Sequence, residues 1–121
     1  MPLRQVLDAL RNGCFFVSTG EVLIPEFKVG GKESGETLKL SGDTTVEVNA
    51  RVEWTFPPAF AEVVWGDGSR VRRQGVDLND KQAFAGTMLR IPVNLKSARW
   101  VRFECWDVAA NGAFSQPVWI E

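Results

Sequence analysis

Between Thr45 and Thr55 the chain alternates without a break. Val46, Val48, Ala50, Val52 and Trp54 fall on one side, and Glu47, Asn49, Arg51, Glu53 and Thr55 on the other. A period of two sends successive side chains to opposite faces of an extended strand. One face is therefore built for a core and the other for water, the pattern of an antiparallel sheet covered on one side. Pro57-Pro58 ends the run, because proline has no N–H to give to a ladder and restricts the residue before it.

The same signature marks Val22–Val29, Thr37–Leu40, Ala61–Trp65, Arg70–Gln74, Met88–Val93, Arg99–Trp106 and Phe114–Ile120 as strands. Gly30-Gly31, Ser41-Gly42-Asp43, Gly66-Asp67-Gly68 and Asn111-Gly112 separate them with turn chemistry. Strands at roughly ten-residue spacing predict an all-β, immunoglobulin-like antiparallel β-sandwich of seven to eight strands. A chain of 121 residues makes one such domain, and can bury roughly two-thirds of its surface without a metal or disulfide staple.

The first residues keep a different period. Leu3, Val6, Leu7 and Leu10 are spaced for one helix face, Pro2 suits the first helical position, and Asn12-Gly13 is a stop. The expected division is a short N-terminal helix over 1–13 and a sandwich over 14–121. So short a helix cannot bury its stripe alone, so it docks on this domain or on a neighbour.

The last hairpin carries the candidate site. On Arg99–Trp106, Trp100, Arg102, Glu104 and Trp106 share one face, and Val101, Phe103 and Cys105 the other. With Val101 opposite Val118 and Cys105 opposite Phe114, Trp100 falls beside Trp119. A register slid by two would set Trp100 against Glu121 instead. Either way Trp100, Arg102, Trp106 and Trp119 form an outer interaction face that also carries Glu104 and Ser115. Rings on such a face pack on the helix, on a partner domain or on a second copy. Alternatively they stack on sugars, as in carbohydrate- or cell-surface-binding modules.

Chemistry has few candidates. The chain has no histidine, which excludes His-dependent triads, His proton shuttles and imidazole metal sites. No phosphate-cradling or dinucleotide glycine motif occurs, and no SxxK. Asp77, Asn79 and Asp80, with Asp67 nearby, match only the start of a calcium loop. Glu21, Glu62, Asp67 and Asp107 are the carboxylates from which an acid–base pair would come. No cofactor is expected, and the chain is read as not an enzyme. Fourteen basic against fifteen acidic residues leave no electrostatic footprint for nucleic acid, and no apolar run is long enough for membrane insertion. Cys14 and Cys105 read as two small buried thiols, with a bridge between them the alternative. The compartment stays open between cytoplasmic and extracytoplasmic.

Two stretches, ALRNGCFFVSTGEVLIPEFKVGGKESGE (Ala9–Glu36) and RWVRFECWDVAANGAFSQPVWIE (Arg99–Glu121), resemble the C-terminal β-sandwich region of metal-dependent hydrolases of the PHP (polymerase and histidinol phosphatase) type. The matching positions are Leu10, Gly13, Phe16, Val17, Thr19 and Gly20, then Trp100, Arg102, Glu104, Asp107, Gly112, Ala113, Ser115, Pro117 and Ile120. TFPPAFAEVVWGDG (Thr55–Gly68) matches more loosely. In that family the catalytic histidines and carboxylates stand on a barrel that has no counterpart here, so no active-site residue transfers. The resemblance implies a non-catalytic accessory domain, with residues 1–13 as the tail of a catalytic domain in the same polypeptide.

Overall fold

The computed structural model describes residues 2–78 and 82–121. Two sheets face each other, as the alternation requires. The smaller one runs β3 (Lys32–Glu33), β2 (Val22–Val29), β5 (Thr45–Trp54) and β8 (Ala85–Asn94). In the larger sheet β9 (Trp100–Asp107) is central. On one side of it lies β6 (Pro58–Gly66), followed by β7 (Val71–Val76). On its other side lie β10 (Gly112–Ser115) and β11 (Val118–Ile120), end to end. The short strands β1 (Phe16–Ser18) and β4 (Thr37–Leu38) close that edge, β4 running parallel to β11. Among the described residues, six strands of six residues or more, with the β10–β11 lane, make the body of an all-β sandwich with one short N-terminal helix.

The core lies between the inner faces. β5 contributes Val48, Ala50, Val52 and Trp54, the alternate set its pattern marks, against Val63, Val101, Phe103 and Cys105 of the larger sheet. In β2 the register shifts between Leu23 and Glu26, around Pro25. That bulge brings Ile24 and Phe27, three residues apart, to the same buried face. Proline also stands at the start of β6, a strand position where its missing N–H is tolerated. Cys105 is buried in this core and unbridged, with its thiol pushed up to about 12 by burial and then by the charge of Asp107. Cys14 is also free but exposed, so only one of the two thiols is buried as expected. The reason is its place directly after the helix stop, outside both sheets.

Helix α1 (Leu3–Asn12) begins one residue later than expected, with Pro2 extended at the cap and its carbonyl accepting from Gln5 and Val6 N–H. Its end is a Schellman closure: Cys14 N–H donates to Ala9 C=O at 2.9 Å, and Gly13 N–H donates to Leu10 C=O at 3.3 Å with Gly13 at φ 74°. Gly35 lets this end touch the body, since a β-carbon there would run into the Asn12 carbonyl. Gly35 N–H in turn donates to Pro117 C=O. No residue of α1 is buried; Leu3 is 73% and Leu10 52% exposed. The stripe therefore does not dock on the domain. It borders an open groove of about 740 Å³ whose other walls include Phe16, Ile24 and Phe27.

Candidate functional site: the outer face of the larger sheet

Val118 pairs with Val101 and Trp119 with Trp100, the first of the two registers derived above. Farther along β9 the register differs by one: Cys105 lies opposite Ala113, and Glu104 opposite Phe114. The break falls at Gln116-Pro117, between β10 and β11, where proline cannot continue the ladder. A one-residue shift exchanges the faces of every side chain beyond it. Ser115 is consequently buried, its hydroxyl accepting from Phe103 N–H at 3.0 Å, and Phe114 takes the outer place. This corrects the placing of Ser115 on the outer face.

Trp100, Arg102, Trp106 and Trp119 do share the outer face, with Glu104 among them. β6 adds Phe60 opposite Trp106, Glu62 opposite Glu104, Val64 opposite Arg102 and Gly66 opposite Trp100. Arg73 on β7 lies opposite Val64. The two glycines set the shape of the site. A β-carbon on Gly66 would stand 2.5–2.6 Å from Nε1, Cε2 and Cζ2 of Trp100. One on Gly112 would be no farther than 2.7 Å from Cδ2, Cε3 and Cζ3 of Trp106. Approach this close to three ring atoms means each indole is seated over its glycine, covering backbone that a side chain would otherwise occupy. Glycine inside a strand commonly marks such a close approach. The rings are half-buried on the sheet side, and Trp119 beside them is 48% exposed.

Between the rings runs an ionic ladder. Arg73 Nη1 donates to Glu62 Oε1 at 2.7 Å and to Glu104 Oε1 at 3.0 Å. Arg102 Nη1 donates to Glu104 Oε2 at 2.9 Å, and its guanidinium lies 5.8 Å from the centre of the Phe114 ring. Two carboxylates directly opposite one another repel unless a proton or a cation intervenes, and here the Arg73 guanidinium bridges the two. The hydrogen bond with Glu104, then desolvation, raises Glu62 above the ordinary carboxyl value, against the pull of Arg73. Burial alone would raise Glu104 too, but the hydrogen bonds of Glu62 and Arg102 and the charges of Arg102 and Arg73 outweigh it and hold it low. Of the two carboxyls, Glu62 is thus the one raised and Glu104 the one held low.

Of the four carboxylates named from sequence, only Glu62 reaches this face, and its partner is Glu104. Asp67 accepts from the N–H groups of Ser69 and Arg70 in the β6–β7 turn. Asp107, buried, accepts from Ala109 N–H, Asn111 N–H and the Asn111 amide, and so shapes the β9–β10 turn. Glu21 sits in the loop before β2, where its carbonyl accepts from Thr55 N–H. Asn79 and Asp80 of the calcium-loop pattern lie outside the described residues. Among the described residues no group of three acidic or thiol side chains converges as a metal site would need. No tryptophan lines the groove beside α1, which opens on β2 of the other sheet. Comparison of the chain with family models, curated proteins and solved structures returns no match.

Proposed function

We propose that this domain is a non-catalytic accessory module that works through two contact surfaces, as the C-terminal module of a PHP-type metal-dependent hydrolase. The observation that carries the reading is α1. Its apolar stripe of Leu3, Val6, Leu7 and Leu10 is exposed along its whole length, while its C-terminal end is fixed to the body through Gly13 and Gly35. A stripe held in place but left uncovered is suited to a catalytic domain in the same polypeptide. The groove beneath it, with Ile24 and Phe27 on its wall, offers further apolar surface for that contact. The connectivity also supports an immunoglobulin-like description: β5 pairs with β8 in one sheet and β6 with β9 in the other.

The ionic ladder fits a binding role better than acid–base chemistry. Its carboxylates are clamped by two arginines on an open sheet face, without the water-excluding cleft that general catalysis uses. A PHP-type catalytic domain supplied in trans should bind the chain, and the double variant Leu3→Asp/Leu7→Asp should lose that binding. Failure of such domains to bind, or metal-dependent phosphoester hydrolysis by the chain alone, would refute the proposal.

A further inference from the structure

The geometry points to an uncharged oligosaccharide as the ligand of the outer face, lying along β9 with sugar rings stacked on Trp100 and Trp106. The assignment rests on the reading of the domain as a binding module without chemistry.

The posture of the rings comes first. Protein partners are gripped by aromatic side chains that stand out and fill pockets. Here Gly66 and Gly112 let the indoles close down over the backbone. A ring laid down in this way offers its π face, a platform for the C–H side of a pyranose and a poor knob for a protein pocket.

Charge comes second. Arg73, Arg102, Glu62 and Glu104 bond to one another, and two cations against two carboxyl groups leave no surplus of basic charge. A nucleic acid or an acidic polymer would need uncompensated arginine or lysine. A neutral polyhydroxylated chain needs donors and acceptors at fixed places, and forked guanidinium and carboxylate groups supply both. The Arg73 side chain, 52% exposed, is the most open of the four.

Span comes third. Trp100 and Trp106 are six residues apart on one strand, about 20 Å at the usual rise. A single sugar cannot bridge that distance. Trp119, directly across the ladder from Trp100, widens the platform at one end; the span along β9 makes the ligand a chain of several units, and affinity grows with its length.

The test uses the full chain, titrated with soluble oligomers of β-linked glucose, xylose, mannose and N-acetylglucosamine. Tryptophan fluorescence and calorimetry report binding. At least one series should bind more tightly as it lengthens, with affinity changing less than about twofold between low and high salt because no net charge is exchanged. Trp106→Ala and Trp119→Ser should each weaken binding tenfold or more. Should Trp106→Ala fail to fold, Trp119→Ser carries the test, since that ring is half exposed. Unchanged fluorescence and heat across all four series would overturn the assignment. So would a concentration-dependent dimer that Trp119→Ser dissociates, which would give the face to a second copy. Hydrolysis of a bound oligomer would instead defeat the non-catalytic reading and leave the binding assignment standing.

Discussion

Two of the tryptophans rest on glycines, and a single methyl group tests them. An alanine at Gly112 places its β-carbon within 2.7 Å of Cδ2, Cε3 and Cζ3 of Trp106. Carbon atoms settle at about 3.5–4.0 Å, so the ring must retreat by about 1 Å or the strand must bend. Overpacking of this kind costs about 1–3 kcal/mol. Gly75 is the matched control. It lies opposite Glu62 on the same sheet, and a β-carbon there meets nothing within 4 Å. Alanine at such an open site gains about 0.4–1 kcal/mol, because the unfolded chain loses freedom.

Gly112→Ala and Gly75→Ala should therefore move in opposite directions and end about 1.5–4 kcal/mol apart. For a domain of this size that is a difference in Tm of about 6 °C or more. Thermal unfolding followed by circular dichroism measures it. Native tryptophan emission should shift to longer wavelength in Gly112→Ala, as the displaced indole meets water, and stay in place in Gly75→Ala. Gly66→Ala should behave like Gly112→Ala, because its β-carbon would stand 2.5–2.6 Å from three atoms of Trp100. If Gly112→Ala were as stable as Gly75→Ala, the indole would not be lying on the backbone, and the platform would lose its basis.

Three further expectations follow from the same contacts. In Glu62→Gln the amide still donates to Glu104 but no longer titrates. Since the wild-type Glu62 carboxyl is raised above 4.5, its stabilising contribution is complete below that value and falls as pH rises through the higher native one. The variant should accordingly gain urea resistance relative to wild type on going from pH 4.5 to 7, and parallel curves would refute a raised Glu62 carboxyl. Asp107→Ala strips three hydrogen bonds from the β9–β10 turn and should cost about 1–3 kcal/mol by chemical denaturation; an unchanged midpoint would show the turn does not depend on that carboxylate. A thiol reagent should modify Cys14 alone in the native protein, and slowly, because desolvation and then Glu33 raise its thiol pKa. Cys105 should react only on unfolding, and two fast equivalents would contradict its burial in the core.

Alternation made β5 legible because one of its faces is buried and one is wet, so a slip of one residue is not tolerable. The same face logic narrowed the partner of Trp100 to Trp119 or Glu121, and the structure sets it against Trp119, with Val101 opposite Val118. Past Gln116-Pro117 that logic fails. Nothing local reveals that the proline joins two ladder segments offset by one, and the offset decides whether Ser115 or Phe114 faces out. The edge strands β1 and β3, of three and two residues, are too short to display any period. The meeting of Glu62 with Glu104 was hidden more deeply. It depends on β6 lying beside β9 in one register, a lateral contact between distant segments. Gly66 and Gly112 read as turn residues in the sequence, and each does adjoin a turn. Only the cross-strand register turns them into seats for tryptophan rings.

The helix stripe and the tryptophan face are distinct surfaces, and that has a consequence for how the module would work. The stripe of α1 looks over the groove beside β2, whereas the tryptophans lie on the outward side of β9. No tryptophan lines the groove, so a catalytic domain seated on α1 would leave the aromatic face open to the ligand proposed above. The domain has a close-packed core with Val63, Val101 and Phe103 fully buried, which transmits position rather than motion. Binding at one surface should then leave affinity at the other unchanged, and the advantage of joining them is effective concentration: a polymer held on the tryptophans keeps the partner on α1 near it, by linkage alone. Loss of Trp119 should lower the partner's retention on the polymer while leaving its own turnover on soluble substrate as it was. A change in that turnover on soluble substrate would mean that the two surfaces are coupled through the core, against the rigid connection described here.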